Sequence, residues 1–317
     1  MILGGDLHTL SMGSMPPMLA PGTLYPALER ATQHALACGA LRPIETAQQR
    51  IEDFGIKFII RWVSSLARKA FEQPRSTPGA AAAVNPFLPF DPNLFVADVS
   101  ATHVALLNKF NLVTNHLIIA TRRFVPQEVL LDSDDLAALS ACLAQLDGLG
   151  FYNAGAAAGA SQPHKHLQMI PLPLESGGVS TPIDEALSAM RDRRGLLTAP
   201  GLPFRHVFVW LEDEMFQHPL TAAARMASLY ADLLARIGVT HVVREGMRYT
   251  SAPWNLLVTR RWMLLVPRLC ERFEGVAINA LGFAGSLFVR DDVQLETIKR
   301  AGPMAALRAV SGSVEMR

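Results

Sequence analysis

The sequence predicts an α+β fold of antiparallel sheets with packed helices, and three observations lead there. Short apolar runs of strand-forming residues come in pairs joined by brief polar turns. Between the pairs lie stretches whose apolar residues recur at helical spacing. The alternation then resumes in the second part of the chain, which points to two related halves. Sheets that bury one face under helices satisfy such a pattern.

Residues 1–45 give weak signals apart from a helix over Tyr25–Ala37 and are read as an N-terminal extension. Their start, MILGGDLHTLSMGSMPP, lacks the basic flank and continuous apolar stretch of a signal peptide. From Ile51 the pattern turns strand-like through Ile56, Phe58 and Ile60. PRSTPGAAAA, punctuated by Pro74, Pro78 and Gly79, reads as a loop, and Pro86, Pro89 and Pro92 force NPFLPFDP into extended or turn geometry. THVALLNKF and NHLIIATR are two strands joined by a turn around Asn111–Asn115. DSDDLAALSACLAQLDG follows as a helix, with Ser133 as N-cap, Leu136, Leu139, Leu143 and Leu146 at helical spacing, and Gly148 placed to end it. LGFYNAG and HKHLQMIP are the third and fourth strands. Past a polar stretch at 175–202 come strand RHVFVWL, helix TAAARMASLYADLLARIG and strands WNLLVT and WMLLVP. NKFNLVTNHLIIATR and WNLLVTRRWMLLVPR look alike, which suggests an internal duplication. The division is therefore an extension at 1–45, a first half at 46–175 and a second half at 200–317.

Composition narrows the function. Half of the residues are apolar and 18% are charged, as in a globular protein. The 29 Lys and Arg nearly cancel the 28 Asp and Glu, so no global field draws in nucleic acid or a membrane, and neither is an expected partner. Cys38, Cys142 and Cys270 form no CxxC pair, which suits reduced thiols in the cytoplasm better than a disulfide framework or a structural zinc site. No apolar run approaches the roughly 18 residues of a membrane span.

The chemistry concentrates in FYNAGAAAGASQPHKHLQM, residues 151–169. On a strand, His164, His166 and Gln168 share one face, while Lys165, Leu167 and Met169 share the other. Such a face is either a solvated edge, part of a metal chelate completed by His103, His116, His206 or His218, or a reaction site. The preceding loop favours the last. Asn153, Gly155, Gly159, Ser161 and Gln162 supply flexible backbone and donors beside the histidines, as a phosphate cradle requires. GxxxxGK[ST] is absent, so the loop is not a P-loop. A neutral imidazole is nucleophilic near pH 7, and attack on an α-phosphate would split one hard displacement into two easier ones.

NKFNLVTNHLIIATR, the loop with HKHLQ, and WNLLVTRRWMLLVPR with INALGFAG resemble the ATP adenylyltransferase family. Its members are the diadenosine tetraphosphate phosphorylases of the histidine-triad and galactose-1-phosphate uridylyltransferase superfamily. NPFLPFDP followed by FVAD fits the same family, and the resemblance spans separated blocks from Ile51 to Val289. It implies a histidine-triad-like fold. It also implies a reversible reaction in which phosphate cleaves diadenosine tetraphosphate to ATP and ADP through an adenylyl-histidine. Carried onto this chain, His166 is the nucleophile, His164 supports it and Gln168 contacts the phosphate. Asn153, Gly155, Ser161 and Gln162 match the phosphate loop, and Asn108 and Lys109 lie near base and ribose. Lys57 and Arg260 are candidates for the distal phosphates. No tightly bound cofactor is implied, and Mg2+ is expected to accompany the nucleotide. Pro163 stands where some members carry Asp, and Arg260 where Lys is expected. The remaining alternatives are a dinucleoside polyphosphate hydrolase, a hexose-1-phosphate uridylyltransferase and a non-catalytic nucleotide-binding protein.

Overall fold

A computed structural model describes residues 18–63, 85–175, 177–178 and 180–314. The loop expected over PRSTPGAAAA lies outside them. The strands are β1 (Thr46–Asp53), β2 (Ile56–Val63), β3 (Phe95–Asp98), β4 (His103–Leu107), β5 (Leu117–Thr121), β6 (Gly148–Asn153), β7 (His166–Pro171), β8 (Val207–Trp210), β9 (His241–Arg244), β10 (Met247–Thr250), β11 (Trp254–Val258), β12 (Trp262–Pro267), β13 (Arg272–Phe273), β14 (Val276–Ala277) and β15 (Ser286–Val289). The helices are α1 (Leu24–Ala37), α2 (Ser133–Leu143), α3 (Asp184–Ser188), α4 (Pro219–Ile237), α5 (Ala280–Phe283), α6 (Asp292–Ala301) and α7 (Pro303–Ser311).

Eight strands form one antiparallel sheet in the order β3-β4-β5-β7-β6-β11-β12-β8. Its inner strands are buried on both faces, which is why they read as continuous apolar runs. One face lies under α2 and α4, where Leu136, Leu139, Met226 and Leu233 pack with Leu167, Met169, Leu256 and Leu265. On the other face Phe151, Ile170, Leu257 and Leu264 meet Leu281, Phe283 and Leu307 from the C-terminal helices. A second sheet joins the β1–β2 hairpin to β15, which runs parallel to β2. The hairpin therefore belongs in space with the end of the chain. Helix α1, inside the segment read as an extension, buries Leu24 and Leu28 in the helix-side core.

Two local expectations need correction. Asp132, not Ser133, caps α2: its carboxylate accepts from the amides of Asp134 and Asp135, and Asp135 reaches back to the Asp132 amide. Gly148 opens β6 instead of closing the helix, because a Cβ there would sit 2.9 Å from the Ile170 carbonyl oxygen on the neighbouring strand.

The halves are related, though not as the sequence likeness aligned them. Outward from the β6–β11 pair the sheet runs β6, β7, β5 on one side and β11, β12, β8 on the other. Leaving out the β9–β10 hairpin, which forms its own sheet, each side runs strand, helix, strand, strand in chain order: β5-α2-β6-β7 and β8-α4-β11-β12. Trp254–Arg268 thus corresponds to β6 and β7, not to Asn108–Arg122. Both hairpins are buried in one sheet, and that shared environment makes their sequences alike. Among the described residues no helix is long and apolar enough to cross a membrane.

Candidate active site

Strand β7 begins at His166 in the middle of the large sheet, with Ala120 of β5 opposite it. The β6–β7 ladder ends at Phe151 and Gln168, and the buried Gln127 fills the gap beyond. Gln127 Oε1 accepts from the His166 amide at 2.9 Å, and its Nε2 donates to the carbonyls of Asn153 at 2.9 Å and His166 at 3.2 Å. One side chain therefore ties the start of the histidine strand to the start of the glycine loop.

His166 is 2% exposed, and its Nδ1 donates to the His164 carbonyl at 2.8 Å. A carbonyl only accepts, so the proton resides on Nδ1 and the lone pair on Nε2. Burial pushes the ring's pKa down to about 4 against the opposing hydrogen bond from His164. The ring is neutral at pH 7, as a nucleophile must be. Gln168 Nε2 stands 3.5 Å from His166 Nε2, and the Phe87 ring packs 5.0 Å from the imidazole. His164 is anchored differently: its Nε2 meets the Thr121 carbonyl at 2.9 Å and its Nδ1 meets Asn85 Nδ2 at 2.9 Å. Both of its ring nitrogens are thus engaged, and its carbonyl accepts from His166 Nδ1.

Next to Gln168 opens a cavity of about 420 Å³, lined by His116, Asn108, Asn153 and Gly159–Ser161, with Arg61, Asn279 and Arg290 opposite. Asn153 Oδ1 accepts from Asn255 Nδ2 at 2.7 Å and the Ala280 amide at 3.0 Å, which leaves its Nδ2 donors for the cavity. Gly155 and Gly159 have φ of 87° and 91°, a region that favours glycine. Arg268, 3% exposed, supports the loop by donating to the Ala158 carbonyl at 3.1 Å and to Asn255 Oδ1 at 2.6 Å. Burial lowers its pKa to about 10, so it stays charged at pH 7 beneath the loop.

On the helix side, Lys165 points away from the cavity, as strand alternation predicts, and bonds to Asp135 and to the Leu130 carbonyl. Burial alone would raise the Asp135 carboxyl, but hydrogen bonding to His103 and the charge of Lys165 overcome it and the pKa falls.

Of the residues expected from sequence, Asn108, Asn153, Ser161 and Gln168 line the cavity, and His166 adjoins Gln168. His164 lies behind them, and Gly155, Gln162 and Lys109 belong to the same loops without lining the cavity. Lys57 and Arg260 are not brought there. Lys57 is exposed beside the β1–β2 turn, opposite Glu52. Arg260, beyond the far end of β11, donates to the Leu143 carbonyl at 2.6 Å. The cations that do line the cavity are Arg61, which donates to Ser286 Oγ and the Leu174 carbonyl at 2.6 Å, and Arg290. Sequence reasoning missed these, and also Gln127, Asn255 and Arg268, and it named His116 only as a possible metal ligand. Period-two spacing would carry His116 back from Ile118 onto the Gln168 face, given that β5 lies beside β7. Among the described residues no group of three His, Cys, Asp or Glu could hold a metal ion.

A pH dependence follows from the buried rings. His116, His166 and His206 all have pKa values lowered to about 4, first by burial. Between the unfolded value of about 6.5 and the folded value of about 4, the unfolded chain binds protons that the folded chain refuses. Stability held above pH 6.5 is therefore lost as pH falls toward 4. Thermal melts from pH 7.5 to 4.5 should show Tm declining with acidification, and a flat Tm over that range would contradict the burial of these rings.

A buried strand-borne histidine with its Nε2 unprotonated, an amide beside it and a polar glycine loop next to a cavity make this the candidate site. Comparisons with known proteins identify the family. The family model of the Ap4A phosphorylase N-terminal domain matches residues 14–189, and that of the ATP adenylyltransferase C-terminal domain matches residues 200–313. The chain belongs to the Ap4A phosphorylase family of nucleotidyltransferases. It is 27% identical over 268 residues to diadenosine tetraphosphate phosphorylase 2 of Saccharomyces cerevisiae, covering 75% of this chain and 78% of that one. The crystal structure of yeast Ap4A phosphorylase Apa2 matches with a TM-score of 0.75 at 21% identity, over 95% of this chain and 98% of that one. The same yeast enzyme in complex with Ap4A matches with a TM-score of 0.71 at 20% identity, over 93% and 99%.

Proposed function

We propose that this enzyme cleaves diadenosine tetraphosphate with inorganic phosphate, giving ATP and ADP reversibly, through an adenylyl group carried on His166. The observation that carries the reading is the tautomer of His166: Nδ1–H is held by the His164 carbonyl, and Nε2 is left unprotonated, with the Gln168 amide nitrogen 3.5 Å away.

In the first step His166 Nε2 attacks the α-phosphorus. An N–P bond forms, the P–O bond to the rest of the polyphosphate breaks, and ATP leaves. Positive charge grows on the ring, and the His164 carbonyl accepting from Nδ1 stabilises it. In the second step a phosphate oxygen attacks the same phosphorus, the N–P bond breaks, ADP leaves and His166 returns neutral. Donors from Gln168, Asn153 and Ser161 bind the α-phosphate oxygens. Gly155 and Gln162 shape the loop, and Asn108 and Lys109 sit toward base and ribose. Arg61 and Arg290 take the distal phosphates in place of Lys57 and Arg260, because they are the cations that line the cavity. Mg2+ enters with the polyphosphate and offsets its charge. The unpaired Cys38, Cys142 and Cys270 support a reducing, cytoplasmic setting.

Gln168 has no titrating proton with which to activate water, so phosphate is favoured over water as acceptor. ATP and ADP should form from diadenosine tetraphosphate only when phosphate is present, as read by nucleotide chromatography. Equal turnover in phosphate-free buffer would make the enzyme a hydrolase.

A further inference from the structure

We infer that Asn108 and His116 are positioning residues whose hydrogen bonds dictate which end of the Gln168 amide faces the nucleophile. The polarity of this chain is set at both ends by backbone groups, an N–H that can only donate and a carbonyl that can only accept. At one end the Phe110 amide donates to Asn108 Oδ1 at 3.3 Å. Asn108 must then present Nδ2 to His116, 3.3 Å from Nδ1, so that nitrogen accepts. Burial keeps His116 neutral, with its pKa lowered to about 4. A neutral ring that accepts at Nδ1 carries its proton on Nε2, which lies 2.9 Å from Gln168 Oε1. The amide oxygen is thereby engaged, and Gln168 Nε2 is turned toward His166 Nε2, 3.5 Å away. At the other end the His164 carbonyl fixes the proton of His166 on Nδ1.

A reversed amide would set Gln168 Oε1 against the lone pair of His166, and a transferring phosphate would meet an acceptor where it needs a donor. With the order observed, the donor is already aimed before substrate arrives and needs no reorganisation during transfer. His116 is 8% exposed and lines the cavity next to Gln168. It acts through Gln168 rather than on the reacting atoms.

The inference rests on His166 as nucleophile, and its test separates the two. In the full-length protein labelled with 15N-histidine, long-range imidazole correlations should show His116 protonated at Nε2 and bare at Nδ1. A proton on Nδ1 would overturn the relay, with no variant required. Second, His116→Leu should slow adenylylation at saturating nucleotide by about tenfold while leaving nucleotide Kd within about threefold. In a Gln168→Ala background the same substitution should have no further effect, because its only route is gone. Losses that multiply in the double variant would show that His116 acts independently of Gln168. If the parent enzyme itself forms no adenylyl-histidine, the nucleophile assignment fails, while the spectra still decide the orientation of the amide.

Discussion

His166→Ala protein is expected to form no covalent nucleotidyl-enzyme, with turnover reduced on the order of 10⁴-fold or more. Among the described residues His166 combines an unprotonated Nε2 with a place beside Gln168, which lines the cavity. His164→Ala should slow formation of the intermediate without preventing it. The His164 ring is spent on Asn85 and Thr121, and its carbonyl, which holds His166, survives the substitution. Loosening that anchor by as little as an ångström would cost about 100-fold. Peptide mapping after incubation with α-phosphate-labelled ATP reads both variants. Label on His164, or label retained by His166→Ala, would refute the assignment.

Gly159→Val should be the most damaging substitution in the loop, and more damaging than Gly155→Val. At Gly159, with φ of 91°, an added Cβ would fall 2.9 Å from the Asn279 Cα and 3.0 Å from the Ile278 carbonyl oxygen. Neither backbone atom can yield without moving the segment that leads into α5, whose first amide holds Asn153. At Gly155 the nearest atom is the flexible Glu128 side chain at 3.2 Å, so the strain comes mainly from its φ of 87°. Calorimetric titration with AMP should show binding lost in Gly159→Val and weakened in Gly155→Val. Parental affinity in both variants would reduce the loop to a connector.

What could be read from sequence was local in origin. His166 and Gln168 share a face because strand alternation is a property of the backbone, and the glycine loop adjoins them in the chain. Lys57 and Arg61 have the same parity on β2, so the strand face was legible but the position along it was not. Arg61 faces the cavity because β2 pairs with β15, whose Ser286 lies 225 residues away. Arg268 looked like one more basic residue ending a strand. Its burial beneath the loop follows from β11 pairing with β6, which brings Asn255 opposite Asn153. The C-terminal helices and the β9–β10 hairpin carried too weak a pattern to be anticipated. The order of the duplicated halves needed the sheet itself, since two buried hairpins look alike wherever they sit.

The central claim is that His166 holds the adenylyl group and releases it to phosphate. The most direct measurement is mass spectrometry of the parent enzyme mixed with diadenosine tetraphosphate in phosphate-free buffer, followed by addition of phosphate. An adenylyl adduct is expected on the His166 peptide, discharged as ADP once phosphate is added. An adduct elsewhere, no adduct at all, or discharge to AMP at the same rate without phosphate would contradict it.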